Sequence, residues 1–502
     1  MKYLFQILLI SLITLVSCKN DTDDLVEKDD SKIYSTFEKI ESSHSNIDFI
    51  NKITPSFDNK ANLFDYDYFY NGSGVGVADF NNDGLKDIIL SANQTENKIY
   101  INKGDLIFED ITLDANINEN KKWSSGVAIA DINNDGWMDI YISQGGPSSA
   151  NDRKNLLYIN QKDLTFKEQA QEYGLDDEGI STQSAFFDFD KDGDLDCLVM
   201  NENSYYGIDP LQFYTILKDK EKLKLNSSQL YEQVNGKFIN ITEKAGLLKP
   251  SFGLGLCVSD INNDNWLDIY IANDYYVPDA MYINNKDGTF SDNIKQNTKQ
   301  VSFFGMGVDI ADINNDNLKD IFVLDMASSD HIRSKTLMAS MSVSNFDLLT
   351  KKLNLPYQYM FNSLQLNMGG SKFHNIAQVS GLSKTDWSWA GLIFDYNNDS
   401  NEDIYITNGY RKYASDNDSR IRINKIKQQY NNKVPLKIKE DLYNMLPSEK
   451  LANILYENNG TLKFKDVTSY SDLNQPSFSN GAAYADLDND GDLDLIINNI
   501  DQ

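Results

Sequence analysis

Seven nine-residue segments carry the side chains whose chemistry can be read most directly from this sequence. In one of them, Asp131-Ile-Asn-Asn-Asp-Gly-Trp-Met-Asp139, side-chain oxygens stand at positions one, three, five and nine. Calcium takes about six to eight oxygen ligands, and a short loop can supply them from alternate residues. Trp137 at position seven would offer its backbone carbonyl, while Gly136 at position six permits the positive φ that turns the chain around an ion. The segment therefore predicts a calcium-binding loop.

All seven copies of this nonamer keep Asp at positions one, five and nine, and Asn or Asp at position three. Position six is Gly in four copies and Asn265, Asn317 or Ser400 in the other three. Ser adopts the left-handed conformation less readily than Asn, so we expect up to seven Ca²⁺ sites, with the weakest in the loop that begins at Asp395. The candidate ligands at positions one, three, five, seven and nine are Asp79, Asn81, Asp83, Leu85, Asp87, Asp131, Asn133, Asp135, Trp137, Asp139, Asp188, Asp190, Asp192, Asp194, Asp196, Asp260, Asn262, Asp264, Trp266, Asp268, Asp312, Asn314, Asp316, Leu318, Asp320, Asp395, Asn397, Asp399, Asn401, Asp403, Asp486, Asp488, Asp490, Asp492 and Asp494.

A single nonamer of this kind is more often a solvated turn than a metal site, but seven copies in one register favour metal binding. An EF-hand has a bidentate acidic residue at position twelve, whereas every copy here has an apolar residue there, such as Ile142. Each loop should therefore lead into a β-strand, for example Asp139–Ser143, and not into a second helix.

The composition of the chain is strongly acidic. Of its 502 residues, 75 are Asp or Glu and 46 are Lys or Arg, so that the formal net charge is −29. This charge argues against a surface for nucleic acid or anionic membrane. The three cysteines, Cys18, Cys197 and Cys257, predict no disulfide framework. Cys197 and Cys257 stand in apolar, strand-like segments, where we expect small core residues.

The N-terminus has the features of an export signal. Lys2 precedes an apolar run that ends in Leu-Val-Ser-Cys18, which resembles a bacterial lipobox. In such signals the peptidase cleaves before the cysteine, which then carries the lipid. We therefore expect a lipoprotein signal peptide over residues 1–17, a lipidated Cys18, an acidic tether over 18–32, and an exported lipoprotein of a bacterial outer membrane or cell surface. The alternative is an ordinary signal peptide with an incidental cysteine.

The nonamer is one part of a longer repeat that predicts four short strands per unit. A Phe-led segment precedes six of the nonamers by 22 or 23 residues, and an Asn stands six residues before the Phe in five copies. Four strands repeated seven times predict an all-β fold, a seven-bladed β-propeller over residues 33–502. Small residues five positions before the nonamers suit strands that crowd a central channel. These residues are Gly74, Gly126, Gly255, Gly307, Ala390 and Gly481.

Three insertions lengthen the connections between the second and third predicted strands. They cover residues 201–229, 326–359 and 408–450, and the last two have helix-like patterns. We expect these insertions at the face opposite the nonamers. Loops on a rigid scaffold often carry function, but the insertions could also be padding at the rim.

The last repeat unit is incomplete in the sequence. After Asp494 only eight residues follow, and no third strand is among them. The Phe-led segment at residues 37–40 has no third strand before it, so we expect it to close the last blade as its outer strand. The missing third strand predicts that the chain is truncated at residue 502.

The Asp-x-Asn/Asp-x-Asp-Gly-x-x-Asp loops resemble the FG-GAP/VCBS repeats of propellers similar to the integrin α N-terminal region. More closely, residues 70–79 and 186–196 look like the bacterial relatives of cartilage acidic protein, the ASPIC/UnbV group. The resemblance covers residue 37 to the end of the chain. It implies calcium in the blade loops and an extracellular or surface binding role. Ser400, Asn265 and Asn317 depart from the family loop, so the resemblance implies full calcium occupancy only at the other four loops.

Three functions stay open at this point. The favoured one is a non-enzymatic, calcium-stabilised propeller for binding or adhesion, which recognises a surface protein or a glycan and no nucleic acid. The second is a carbohydrate-active enzyme, a glycosidase or lyase, and the third is a purely structural platform. Only three histidines, His44, His331 and His374, are available for catalysis. Trp387-Ser-Trp389 and Tyr275–Asp279 could stack on sugar rings, although such aromatic residues more often pack blades.

Overall fold

The structure, a computed structural model, describes residues 37–117, 122–337 and 342–501. The expected signal peptide, Cys18 and the acidic tether lie outside these residues. Among the helices that are described, none combines the length and the apolar character needed to cross a bilayer.

Six repeat units each form a four-stranded antiparallel sheet, in which the strands lie side by side in chain order. The prediction of four strands per unit is therefore confirmed for these six. The sheets are β1 to β4 (Val75–Ala78, Asp87–Leu90, Lys98–Asn102, Phe108–Asp110), β5 to β8 (Ser124–Ala130, Asp139–Gln144, Leu156–Asn160, Phe166–Glu168), β9 to β12 (Ser181–Phe187, Asp196–Asn201, Gln229–Val234, Lys237–Asn240), β13 to β16 (Gly253–Ser259, Asp268–Asn273, Ala280–Asn284, Phe290–Asp292), β18, β19, β21 and β22 (Val308–Ala311, Asp320–Val323, Ser363–Asn367, Phe373–Asn375), and β23 to β26 (Ser388–Phe394, Asp403–Asn408, Ile454–Asn458, Phe464–Asp466).

Two further sheets have two strands each in the part of the chain that is described. β17 (Gln300–Ser302) and β20 (Tyr357–Tyr359) pair in parallel at the edge of an insertion. β27 (Ser479–Ala485) and β28 (Asp494–Asn499) form the antiparallel pair of the seventh repeat unit. Second strands in the complete sheets are buried along their whole length. β28 is mostly half-buried, because the described residues supply no third strand beside it.

The prediction that residues 37–40 form the outer strand of the seventh sheet is wrong. This segment has no strand in the structure. In the other sheets the outer strand pairs with a third strand, and the described residues provide none here. Instead, the carbonyl of Phe37 accepts a hydrogen bond from the amide of Asp472 (3.1 Å), and its ring stacks on Tyr396 with centroids 5.9 Å apart.

The first strands of the seven sheets contact one another in cyclic order. β1, β5, β9, β13, β18, β23 and β27 follow each other, and β27 contacts β1. A central cavity of about 240 Å³ is lined by residues from all seven of these strands. A Cβ on Gly307 would lie 2.1 Å from the Trp389 carbonyl, and one on Gly255 would lie 2.4 Å from the Met306 carbonyl. The prediction that these small residues stand where strands crowd together is therefore confirmed at these two glycines.

The three insertions lie between second and third strands, as predicted, and all three contain helices. Helices were expected only in the second and third insertions, but the first insertion, residues 201–229, also contains two helices. The α-helices of the described residues, α1 to α10, are Ser42–Ser45, Ala170–Tyr173, Pro210–Ile216, Lys220–Lys224, Ile294–Asn297, Arg333–Thr336, Val343–Asp347, Ala377–Ser380, Asn417–Gln429 and Leu436–Asn444. Short 3₁₀ turns cover Ala150–Arg153, Thr468–Tyr470 and Asp472–Asn474, and a π-helical turn covers Leu348–Lys352.

Candidate functional site

Each nonamer folds into a closed loop through its own side-chain oxygens. The carboxylate of Asp131 accepts hydrogen bonds from the amides of Asp135 (2.9 Å) and Gly136 (2.7 Å). Asp135 in turn accepts from the amide of Trp137 (3.1 Å). These bonds fix the side chains of positions one and five against the backbone of the loop. Position six has positive φ in all seven copies, including 69° at Ser400, so the predicted backbone at this position is confirmed.

The aspartate at position nine has a structural role that the sequence did not reveal. Asp139 is buried, and its two oxygens accept hydrogen bonds from the amides of Ile132 (3.0 Å) and Asn160 (2.8 Å). Burial raises the pKa of this carboxyl to about 6. Ile132 belongs to the same loop and Asn160 ends the third strand, so Asp139 ties the loop to the sheet. The third-strand amide bonds to the position-nine aspartate in all six complete sheets.

The recurring asparagine at the end of the third strand joins neighbouring sheets. The side-chain amide of Asn160 donates to the carbonyl of Phe80, in the loop of the preceding sheet, at 2.9 Å. It also donates to the carbonyl of Met138 in its own loop at 3.2 Å. The Asn that stands six residues before each Phe in the sequence is thus a link between adjacent nonamers, since side-chain amides can donate two hydrogen bonds.

The nonamer side chains fit a hard cation. In the loops that begin at Asp188 and Asp486, the carboxylate oxygens of positions one, three and nine lie within 4.8 Å of one another. In two other loops the position-three oxygens, Oδ1 of Asn262 and of Asn314, are buried without a hydrogen-bond partner among the described residues. Buried polar atoms are nearly always satisfied, and carboxylate and amide oxygens are the ligands that calcium prefers.

A second candidate site lies at the opposite end of the sheets, where a cavity of about 470 Å³ opens. Trp387 and Trp389 enter it from the start of β23, and Tyr275 and Tyr410 enter it just after β14 and β24. First strands run toward the nonamers and second strands run away from them, so these residues lie far from the loops. The two aromatic runs singled out in the sequence therefore meet at one cavity. Asp279 does not reach it, because its carboxylate is buried against Tyr270 (2.8 Å).

Two acidic side chains line the same cavity, held by tyrosines. Tyr275 donates a hydrogen bond to Asp67 Oδ2 (2.7 Å), and Tyr68 donates one to Asp274 Oδ2 (3.1 Å). Burial raises the pKa of the Asp67 carboxyl and raises that of Asp274 to about 7. Sequence reasoning missed Asp67 and Tyr68, although the acidic and aromatic run at residues 64–70 was a signal for them. His44, His331 and His374 are exposed and do not line the cavity.

Comparisons with known proteins agree with the repeat pattern. The family model of the FG-GAP-like repeat matches residues 79–142, 260–323 and 441–497. Cartilage acidic protein 1 of Xenopus tropicalis is 26% identical to this chain over 203 residues, and that of Homo sapiens is 24% identical over 204 residues. Each match covers 40% of this chain and 28% of the relative. The predicted resemblance to FG-GAP repeats and to cartilage acidic protein is therefore confirmed.

The similarity to solved structures is weaker. The V. cholerae biofilm matrix protein Bap1 has a TM-score of 0.27 and 14% identity, over 51% of this chain and 35% of that chain. BBS1N, crystallised in complex with ARL6DN, has a TM-score of 0.31 and 9% identity, over 67% and 88% of the two chains. Scores this low carry no argument about fold or function.

Proposed function

We propose that this chain is a calcium-stabilised, seven-bladed β-propeller of FG-GAP repeats that binds a surface protein or a glycan without catalysis. The cyclic contacts of the seven first strands support the propeller. The observation that carries the binding function is the cavity of about 470 Å³ opposite the nonamers. Its volume falls within the range of roughly 300 to 1,000 Å³ that is typical of ligand sites, and its wall is rich in aromatic side chains.

Filling the cavity tests this function. Ala414 lines it, and Ala414→Trp should abolish capture of the ligand from polysaccharide or surface-protein fractions by immobilised, calcium-loaded protein. Leu211→Trp, at an exposed position outside the cavity, is the matched control and should capture normally. Equal capture by both variants would place binding elsewhere, and no capture by the unmodified protein would favour the structural platform.

Calcium in the loops is the second part of the proposal. The loop at Asp188 has five aspartates and Gly193, whereas the loop at Asp395 has Asn at two ligand positions and Ser400 at position six. In calcium, Asp188→Ala should therefore lower the Tm by a few degrees more than Asp395→Ala. Each removed carboxylate accepts two loop amides, so both variants should lose similar stability in a chelator. Differential scanning fluorimetry measures the Tm of each variant in calcium and in the chelator. A difference of equal size in the chelator would contradict the calcium assignment.

A carbohydrate-active enzyme is the second candidate, because one specific observation favours it. Asp67 and Asp274 share the cavity, and a carboxyl with a pKa of about 7, such as Asp274, can act as a general acid near neutral pH. Glycosidases use two carboxylates that flank the scissile bond. Release of reducing sugars from a polysaccharide panel, lost in Asp274→Asn, would replace the binding function with this one.

We further propose that Cys18 carries a lipid that holds the protein at the outer membrane or cell surface. The lipobox-like Leu-Val-Ser-Cys18 supports this assignment. Cys18→Ser should move nearly all of the protein from the membrane fraction to the soluble fraction, because lipid modification needs the thiol. Immunoblotting of the two fractions measures the change, with Cys197→Ser as the control. Continued membrane association of the Cys18 variant would contradict the lipid anchor.

A further inference from the structure

Two residues that line the aromatic cavity each carry a buried polar atom that has no hydrogen-bond partner among the described residues. One is the indole Nε1 of Trp387, which is only 8% exposed, and the other is Oδ1 of Asn71. The neighbouring Trp389 differs, since its Nε1 donates to the carbonyl of Gly409 at 2.6 Å. Buried donors and acceptors are nearly always paired, so a ligand in this cavity is the natural source of the two missing partners.

The missing partners define the chemistry of that ligand. Indole Nε1 is a donor only, and the Asn71 side-chain oxygen is an acceptor. Hydroxyl groups can accept from the indole and donate to the amide oxygen, and the carboxylates of Asp67 and Asp274 can accept from further hydroxyls. A hydrocarbon surface would leave Trp387 Nε1 and Asn71 Oδ1 unpaired. A cation would suit the carboxylates but could not accept from Trp387, and it would face Arg420 in the same cavity wall.

The aromatic side chains at the cavity are held in place by their packing against one another. Trp387 is stacked face to face on Tyr410 with ring centroids 4.0 Å apart, which holds its indole rigidly. Tyr275 packs edge-on against Phe304 at 6.1 Å, beside the same cavity. Rigid aromatic groups present a large apolar surface at little entropic cost. Such a surface suits the C–H face of a sugar ring, whose hydroxyls project from its rim.

From these observations we propose that the cavity binds a neutral sugar ring of a glycan, and that Trp387 Nε1 and Asn71 Oδ1 recognise its hydroxyls. The inference rests on the proposed binding function and narrows it from protein or glycan to glycan. A neutral ring suits this cavity because its wall carries charges of both signs, Arg420 as the cation and Asp67 and Asp274 as the acidic groups.

Titration of the calcium-loaded, full-length protein with a panel of neutral mono- and oligosaccharides tests this proposal. We expect at least one sugar to shift the indole N–H resonance of Trp387, which is assigned by its loss in Trp387→Phe. That variant keeps an aromatic ring but removes the donor, so its affinity should fall about tenfold, the equivalent of one hydrogen bond. Asn71→Leu should have a similar effect. Tyr430→Phe, outside the cavity, is the matched control and should bind normally.

The outcomes separate this inference from the function on which it rests. Unchanged sugar affinity in Trp387→Phe and Asn71→Leu would overturn the assigned recognition. Binding of a quaternary ammonium probe in the cavity, with no sugar bound, would overturn the ligand class. Capture of a protein that Ala414→Trp abolishes, again with no sugar bound, would overturn the inference but leave the binding function standing. If no ligand is found whose binding Ala414→Trp abolishes, both the glycan inference and the proposed binding function would fail.

Discussion

Removal of calcium should lower the Tm of this protein by about 10 °C or more. A site kept at a hundredfold excess of calcium over its Kd adds about 2.7 kcal/mol to the free energy of unfolding, and the repeat offers up to seven such loops. Without the ion, several carboxylates in each loop repel one another. This is most severe where three converge within 4.8 Å, as at Asp188 and Asp486. Calorimetry in calcium and in excess chelator measures the difference.

The control for this experiment compares calcium with magnesium as the ion that is added back after the chelator. Calcium added back after the chelator should recover the original Tm. Magnesium should recover little of it, because Mg²⁺ demands near-octahedral geometry and gives up its water reluctantly. Equal midpoints with and without calcium would mean that the nonamers are turns held only by their own hydrogen bonds, and the calcium proposal would fail.

Asp139→Ala should cost roughly 2–6 kcal/mol of stability even in the absence of calcium. The change leaves two buried amides, those of Ile132 and Asn160, without an acceptor. Each unpaired buried donor costs about 1–3 kcal/mol. The loss therefore follows from the hydrogen bonds that join the loop to the third strand, whether or not an ion is bound. Denaturant unfolding in a chelator measures the free energy directly.

The matched control for Asp139→Ala is Asp131→Ala in the same loop. Asp131 also accepts two amides, but water can replace it at the Gly136 amide, where the bond is exposed. In chelator the replacement of Asp131 should cost less than about 1 kcal/mol, the low end for a solvent-exposed hydrogen bond, and in calcium it should cost considerably more. If Asp139→Ala were neutral in chelator, the structural role of position nine would be wrong.

The local structure of this protein could be predicted from the sequence because patterns of nearby residues define its repeat unit. The nonamer requires positive φ at position six, which glycine, asparagine and Ser400 adopt in the structure. In the strands that follow, apolar residues either alternate with polar ones or are continuous. Gly255 and Gly307 stand where only a small residue fits between backbones. Each of these constraints acts within one unit or between adjacent strands. The four-stranded sheets of six units follow from them.

Pairing of residues 37–40 could not be predicted in the same way. An outer strand forms only where a third strand offers its edge, so the Phe-led pattern alone does not determine the structure of that segment. For the same reason the asparagine at the end of the third strand was recognisable as a recurring residue but not as a link. Asn160 donates to Phe80, 80 positions earlier, and that contact exists only because neighbouring sheets pack side by side.

The sequence by itself determined the loops, the strands and the order of the repeat units. Only the tertiary structure decided which distant residues share a site. Asp67, Tyr275 and Trp387 come from three separate parts of the chain, and no local pattern relates them. They meet because packing of the first strands side by side brings the same end of several sheets around one cavity. The raised pKa of the Asp67 carboxyl follows from that packing, and so does the burial of the Trp387 indole, which has no hydrogen-bond partner among the described residues.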